Sequence, residues 1–113
     1  MKAIEKELDR LVQIWSCNQR SYISGKPAEC GHHFIHRSCR LLRWDINNII
    51  PLTLEEHALH HAGLLKIKIN NPFREQYLSN MKNEHIKDYL LQNGLTGSEW
   101  LKQKKKFWEE KSQ

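Results

Sequence analysis

The chain contains few cysteines, and their arrangement argues against a disulfide framework. There are three, an odd number, and none belongs to a C-x-x-C motif. Small secreted domains usually carry an even set of cysteines at framework spacings. The composition therefore favours a reducing compartment, and we expect a cytoplasmic protein.

Long apolar runs are also absent from the sequence. No segment approaches the ~20 apolar residues that a membrane-spanning helix needs. The N-terminus is charged and amphipathic, without the apolar region of a signal peptide. No internal repeat is found, and 113 residues suit one domain with a modest core. A membrane partner is therefore not expected.

Acidic residues are the scarcer kind of charge. Lys and Arg total 18 against 13 Asp and Glu, which gives a net charge of +5 with neutral histidines. The isoelectric point is near 9.2. A positive surface suits a polyanionic partner, although charge alone does not identify one. Nucleic acid is the partner that we expect.

Histidine is abundant, and it is concentrated in one stretch. Six of the seven histidines lie in residues 31–61. Within this stretch, Thr53 and Glu56 form a T-x-x-E capping box, which predicts the start of a helix. His57 and His61 then lie one turn apart on the same face. Two imidazoles at that spacing can hold one metal ion.

A third ligand and a proton acceptor can both come from the adjacent pair His32 and His33. Residues 28–34 are expected to be extended, so the two side chains point to opposite sides. One imidazole can face the metal, while the other accepts a proton from an attacking water. The spacing does not decide which does which, and Cys30 is a further conceivable ligand. Asn48 can hold the loop that follows His33 and so direct the base.

The order of these residues resembles the HNH, or ββα-metal, endonuclease superfamily over about residues 20–62. The histidine pattern is similar to that of colicin-type DNases. The text RWDINN after the histidine pair resembles phage HNH proteins of the NinG/Rap recombination type. The resemblance implies that His33 is the general base and that Asn48 orients it. It also implies three metal ligands: His32, His57 and His61.

The chain departs from many phage members of that family at a structural zinc knuckle. Ser21 and Ser24 stand where those proteins carry a cysteine pair, and the second pair falls near Pro51 and Leu54. All four ligands of that second metal are missing together, while the five catalytic positions are present. We therefore expect no structural zinc and a fold supported by the packing of flanking helices.

The predicted fold is mainly helical α+β, with a ββα-metal core and helices on both sides. Apolar spacing predicts the first helix, and turn residues predict a hairpin inside the core. A second capping box, at Thr96, predicts the last helix. The bounds are one domain over 1–113, a core over about 20–63 with Gly63 ending its helix, an N-terminal helix over 2–16, hairpin strands Arg20–Ile23 and Ala28–His32, a short strand Leu64–Ile69, and a helical extension over 71–111 that breaks near Ser79.

Arginine recurs at every third position of the loop before Asn48, as Arg37, Arg40 and Arg43. Guanidinium groups bind phosphate oxygens bidentately. We therefore expect at least one of the three to contact substrate phosphate, and the sequence does not decide which. A solvated face or a pair with Asp45 is the alternative.

Other side chains carry structural predictions. Trp44 is expected to anchor the loop, and Asp45 to cap a turn. Cys17 is expected to be buried at the end of the first helix, and helix geometry turns His60 away from the metal-binding face. A solvated face, with flanking DNA as the alternative, is expected of Lys102, Lys104, Lys105 and Lys106.

These features together predict metal-dependent hydrolysis of phosphodiester bonds. We expect one divalent ion (zinc, magnesium, manganese or nickel), because imidazole-rich sites suit several metals and no second carboxylate cluster is found. DNA rather than RNA, recombination intermediates as substrates and the host cytoplasm as location follow from the phage resemblance alone. A monomer and a homodimer both fit. The alternative function is a non-catalytic zinc module that binds nucleic acid or protein.

Overall fold

In the computed structural model, which describes residues 2–112, helices surround a small two-stranded sheet. The prediction of a mainly helical α+β fold is confirmed. The elements are α1 (Ala3–Cys17), β1 (Cys30–His33), α2 (Arg40–Arg43), a 3-10 turn (Ile46–Asn48), β2 (Ile49–Leu52), α3 (Leu54–His61), α4 (Pro72–Lys82), α5 (Ile86–Gln92) and α6 (Gly97–Lys111).

The first and last helices pack together and form much of the core. Leu8 and Val12 of α1 are buried in one cluster with Trp100 and Trp108 of α6. Burying each such side chain contributes roughly 1.5–3 kcal/mol. Trp108 also donates its indole N–H to the carbonyl of Trp44 at 2.8 Å. The apolar stripe predicted for the first helix is confirmed.

The sheet pairs β1 with β2 in antiparallel register, with His32 opposite Ile50 and His33 opposite Ile49. The predicted hairpin over Arg20–Ile23 and Ala28–His32 is wrong, since that segment has only one isolated bridge, Arg20 to Pro27. The Ser21 hydroxyl accepts the backbone N–H groups of two following residues. Such local bonds replace a strand ladder.

Helix α1 fixes the position of β1 through Gly31. Gln13 donates to the Gly31 carbonyl at 3.1 Å and accepts its N–H at 2.8 Å. A Cβ at Gly31 would lie 2.2 Å from the Ser16 hydroxyl oxygen. Glycine is therefore required by the close approach of the helix. This contact holds the strand immediately before the two histidines.

Helix α3 begins and ends as the sequence predicts. The Thr53 hydroxyl accepts from the Glu56 N–H at 3.1 Å, and the Glu56 carboxylate accepts from the Thr53 N–H at 2.8 Å. Gly63 ends the helix with φ at 76°, and Leu64 N–H bonds to the carbonyl of Leu59. This is the glycine-terminated Schellman motif. The helix thus carries its histidines in one rigid unit.

The segment after α3 is not the predicted strand. Residues 64–69 form no ladder, although Ile67 and Ile69 are buried against Leu52 and Leu78. Their alternation reflects burial of one side of an irregular segment, since no strand of residues 2–112 pairs with it.

Two further details differ from prediction, and one is confirmed. The break in the C-terminal region falls between Lys82 and Ile86 rather than near Ser79. Cys17 ends α1 but is exposed, not buried. The capping box at Thr96 is confirmed. Across residues 2–112, no helix combines the length and the apolar character needed to span a bilayer.

Candidate active site

Three histidines meet between β1 and α3. One ring nitrogen from each of His32, His57 and His61 lies within 4.8 Å of the others, as a group that could hold a metal ion. The Nε2 atoms of His57 and His61 are 2.9 Å apart. Two ligands of a tetrahedral zinc are about 3.3 Å apart, given Zn–N bonds of ~2.0–2.1 Å. The spacing therefore suits one small divalent cation.

His32 is held without a hydrogen-bond partner among residues 2–112. Its ring contacts those of His57 and His61, with centroid distances of 5.2 Å and 5.8 Å. Burial and, to a smaller extent, the neighbouring imidazoles lower the pKa of His32 to about 4. The ring is thus neutral at pH 7 with its lone pair available. An imidazole that is buried and uncharged is ready to bind a cation.

His60 lies closer to this group than the sequence predicts. Its ring centroid is 4.7 Å from that of His32, and its Nδ1 lies 3.0 Å from the Leu65 carbonyl oxygen. The expectation that His60 turns away is therefore wrong with respect to His32. The Leu65 carbonyl engages one ring nitrogen, and His60 is not part of the three-nitrogen group. Sequence reasoning missed that the chain turns at Gly63 and brings the Leu65 carbonyl next to the ring of His60.

His33 points elsewhere and is held by a backbone carbonyl. Its Nε2 lies 2.8 Å from the carbonyl oxygen of Arg43. A carbonyl only accepts, so the neutral ring carries its proton on Nε2 and its lone pair on Nδ1. Burial lowers the pKa of His33, partly opposed by that hydrogen bond. The ring can therefore accept a proton at neutral pH.

Asn48 is fully buried and ties the loop after His33 to the sheet. Its amide oxygen accepts from the Ile35 N–H at 2.7 Å. Its Nδ2 donates to the carbonyls of Ile35 at 2.9 Å and Leu42 at 3.0 Å. One side chain thus fixes both ends of the loop, and it acts on His33 through the backbone.

An aspartate of α1 supports the same segment. Asp9 accepts two hydrogen bonds from Arg43, at 3.1 Å and 2.6 Å, and one from the Trp44 indole at 2.8 Å. The carbonyl of Arg43 is the partner of His33. Sequence reasoning missed Asp9, because nothing local relates it to a residue 34 positions later. Trp44 is buried and anchors the loop as predicted.

The three loop arginines have different surroundings. Arg40 forms an ion pair with Glu5, and Arg43 forms one with Asp9. The structure brings Arg37 to the histidines and directs the other two guanidinium groups towards α1. Phosphate contact by any of them stays a prediction. A cavity of about 210 Å³ contains the site. It is lined by Gly31, His32, His33, His36, Arg37, His57 and His61.

The serines at the knuckle positions belong to a hydrogen-bond network. The Ser21 hydroxyl donates to Glu56 at 2.5 Å and accepts the Ser24 N–H at 3.2 Å. Burial would raise the pKa of Glu56, but the hydrogen bonds from Ser21 and Thr53 dominate and lower it to about 2. Cys30 lies outside the group of three nitrogens, and its thiol contacts the Leu52 carbonyl.

Comparison with known proteins gives no match to a protein-family model, a curated protein or a solved structure. The resemblance to HNH endonucleases therefore remains a prediction from the motif, and the chemistry of the site has to be argued from its own residues.

Proposed function

We propose that this protein is a metal-dependent endonuclease of the HNH type that hydrolyses phosphodiester bonds in DNA. The observation that carries the proposal is the division of labour between two consecutive residues. His32 joins the histidines of α3, while His33 is held by the Arg43 carbonyl with its Nδ1 lone pair directed away from that bond. A purely structural metal site would need no such second imidazole.

His33 acts as the general base in this proposal. It accepts a proton from water on Nδ1, while the bond from Nε2 to the Arg43 carbonyl stabilises the resulting imidazolium. That carbonyl also prevents the ring from reversing, because a flipped ring would lose its buried hydrogen bond. General bases of this kind accelerate hydrolysis by roughly 10²–10⁴-fold.

The residues present fit a divalent cation. His32, His57 and His61 supply three nitrogen donors, and three protein ligands leave room for substrate or water. When bound, the cation supplies Lewis acidity towards the phosphate oxygens and stabilises the leaving oxygen. Zinc, nickel, cobalt and manganese suit imidazole donors, and the identity of the ion is left to experiment.

Asn48 and Arg37 complete the set. Asn48 holds the loop that bears His33's carbonyl partner, which makes it a positioning residue. Arg37 lines the same cavity as the histidines, so its guanidinium is the loop arginine best situated to bind a phosphate oxygen. Arg40 and Arg43 support the loop through α1 instead.

The test is plasmid nicking by the wild type, His33→Ala and a control, His85→Ala, in EDTA and with added magnesium, manganese or zinc. His85 is an exposed histidine at the start of α5. We expect cutting only with metal, a loss of about 10²-fold or more in His33→Ala, and wild-type activity in His85→Ala. Metal content measured in parallel should be equal in all three proteins.

The contrary result is also defined. If none of the proteins cuts plasmid, branched DNA or RNA with any metal, while each retains one zinc, the enzyme proposal fails. The non-catalytic zinc module then replaces it.

A further inference from the structure

A second cavity lies on another side of the loop that ends at Asn48. It has a volume of about 360 Å³ and lies among the 44–46 segment, α4, α5 and α6. Its floor contains Trp44 and Trp100, whose ring centroids are 5.8 Å apart. Tyr89 and Phe107 line it as partly buried aromatic walls. Its volume falls in the range of about 300–1,000 Å³ that is usual for small-molecule sites.

Two opposite charges also line this cavity. Asp45 is buried, and its carboxylate accepts from the Tyr77 hydroxyl and from the Asn47 N–H. Each carboxylate oxygen can accept a further bond. Lys104 is partly buried, and its ammonium makes no hydrogen bond or ion pair within residues 2–112. The solvated face predicted for the lysines of α6 fits Lys102 and Lys106, which are exposed, whereas Lys104 and Lys105 are partly buried. Of these, Lys104 lines the cavity.

An ammonium in this position is costly to the fold. Burial lowers the pKa of Lys104, because a charged group loses hydration that no protein acceptor replaces. Other lysines of α6, such as Lys102, are exposed and avoid this cost. A bound acceptor would satisfy the ammonium, so the combination of aromatic walls, one donor and one acceptor describes a ligand site.

We propose that this cavity binds a planar nucleobase. Bases stack on aromatic side chains through their faces. Each base also has a nitrogen-bound hydrogen that Asp45 can accept and a ring nitrogen or carbonyl oxygen to which Lys104 can donate. The choice of a nucleobase over other planar ligands rests on the proposed nuclease function. The base can come from a free nucleotide or from a DNA strand.

The cavity borders the loop that ends at Asn48. The backbone carbonyl of Asp45 accepts the N–H of Asn48 at 2.9 Å, and the side chain of Asn48 holds that loop. A nucleobase held against Asp45 therefore contacts the same backbone segment that positions His33, the proposed general base. A strand bound here would be anchored by one of its nucleotides next to the catalytic machinery.

The experiment measures binding without metal, so that no cutting occurs. Tryptophan fluorescence of the wild type is titrated in EDTA with each mononucleotide, with a single-stranded oligonucleotide and with an abasic oligonucleotide of the same length. Lys104→Met is compared with Lys102→Met, which removes the same charge from an exposed position of α6. We expect Lys104→Met to weaken binding about tenfold or more, since it removes a charged hydrogen bond.

A stability measurement distinguishes a ligand site from a structural one. Lys104→Met should unfold at the same temperature as the wild type or at a higher one, because it removes a partly buried charge that has no ion-pair partner within residues 2–112. Tyr89→Leu is a second variant, which should weaken binding through loss of stacking. Binding by mononucleotides identifies a free nucleotide as ligand. Binding only by the base-containing oligonucleotide identifies a strand.

The proposal is overturned if no nucleotide or oligonucleotide binds, or if the wild type and Lys104→Met bind equally. An equal loss in Lys102→Met would likewise overturn it, since that result indicates attraction by surface charge alone. Nuclease failure is distinguishable from failure here, because the plasmid assay depends on His33 and metal while this titration uses neither.

Discussion

Two neighbouring groups of polar side chains on α3, that of Glu56 and that of His57 and His61, have opposite chemistry. At the N-terminal end, the Glu56 carboxylate accepts bonds from the Ser21 hydroxyl and the Thr53 N–H. The next residue, His57, lies one turn before His61, and within residues 2–112 neither imidazole has a hydrogen-bond partner except the other. The Glu56 carboxylate has its hydrogen-bond partners within the protein, whereas His57 and His61, with His32, could hold a metal ion.

This difference separates two kinds of polar group on a single helix. A saturated network such as that of Glu56 stabilises the fold by itself. The clustered imidazoles contribute little to stability by themselves, because His32 and His57 lose hydration and gain no bond outside the cluster within residues 2–112. The polar bonds around Glu56 support the turn that contains Ser21 and Ser24.

The largest expected effect is the stabilisation of the protein by a metal ion bound to His57 and His61. Zinc at ~1,000 times its Kd should stabilise the protein by about 4 kcal/mol, which raises Tm by on the order of 10–20 °C. Differential scanning fluorimetry measures the shift in the wild type, the double variant His57→Ala/His61→Ala and the control His85→Ala. The shift should vanish only in the double variant. An equal shift in all three would place the zinc elsewhere.

The second-largest effect is expected from removing the Glu56 carboxylate. Glu56→Ala should lower the free energy of unfolding by about 1–3 kcal/mol, because it leaves partners of a charged group unpaired. The control Glu55→Ala removes an exposed carboxylate one residue earlier and should stay within about 0.5 kcal/mol. Urea denaturation measures both. Zinc should still raise Tm in Glu56→Ala. A lost zinc response would mean that the Glu56 network and the histidine pair are not independent.

The smallest effect is the acid response of the same carboxylate. The pKa of Glu56 is about 2 in the fold, against an ordinary value of 4.5. A lowered pKa contributes stability that is present above 4.5 and is lost as the pH falls towards about 2. The difference in urea midpoint between the wild type and Glu56→Gln should therefore shrink across that interval. A constant difference would show that the charge of Glu56 is not its source.

Sequence reasoning succeeded where the determining contacts are local. The capping box at Thr53, the end of α3 at Gly63 and the shared face of His57 and His61 each depend on residues within one or two turns. Short-range rules are sufficient for such features. The role of Trp44 as a buried anchor followed from its size and apolar character.

Sequence reasoning failed where partners are distant. The turn around Ser24 is organised by the Ser21 hydroxyl and by the Glu56 carboxylate of α3. The segment Cys30–His33 pairs with β2 rather than with residues 20–23. The ion pairs of Arg40 and Arg43 join residues about 35 positions apart. The inward position of Lys104 depends on a cavity that only the packed helices create.

The carbonyl of Arg43 that holds His33 has a consequence for mutational tolerance. Every amino acid carries the same backbone carbonyl, so no replacement at position 43 deletes the group that fixes the histidine tautomer. The side chain there is free to vary only as far as Asp9 and the loop still hold the backbone in place. Substitutions at Asn48 and Asp9 are therefore the ones expected to disturb the orientation of His33, although neither side chain bonds to its imidazole.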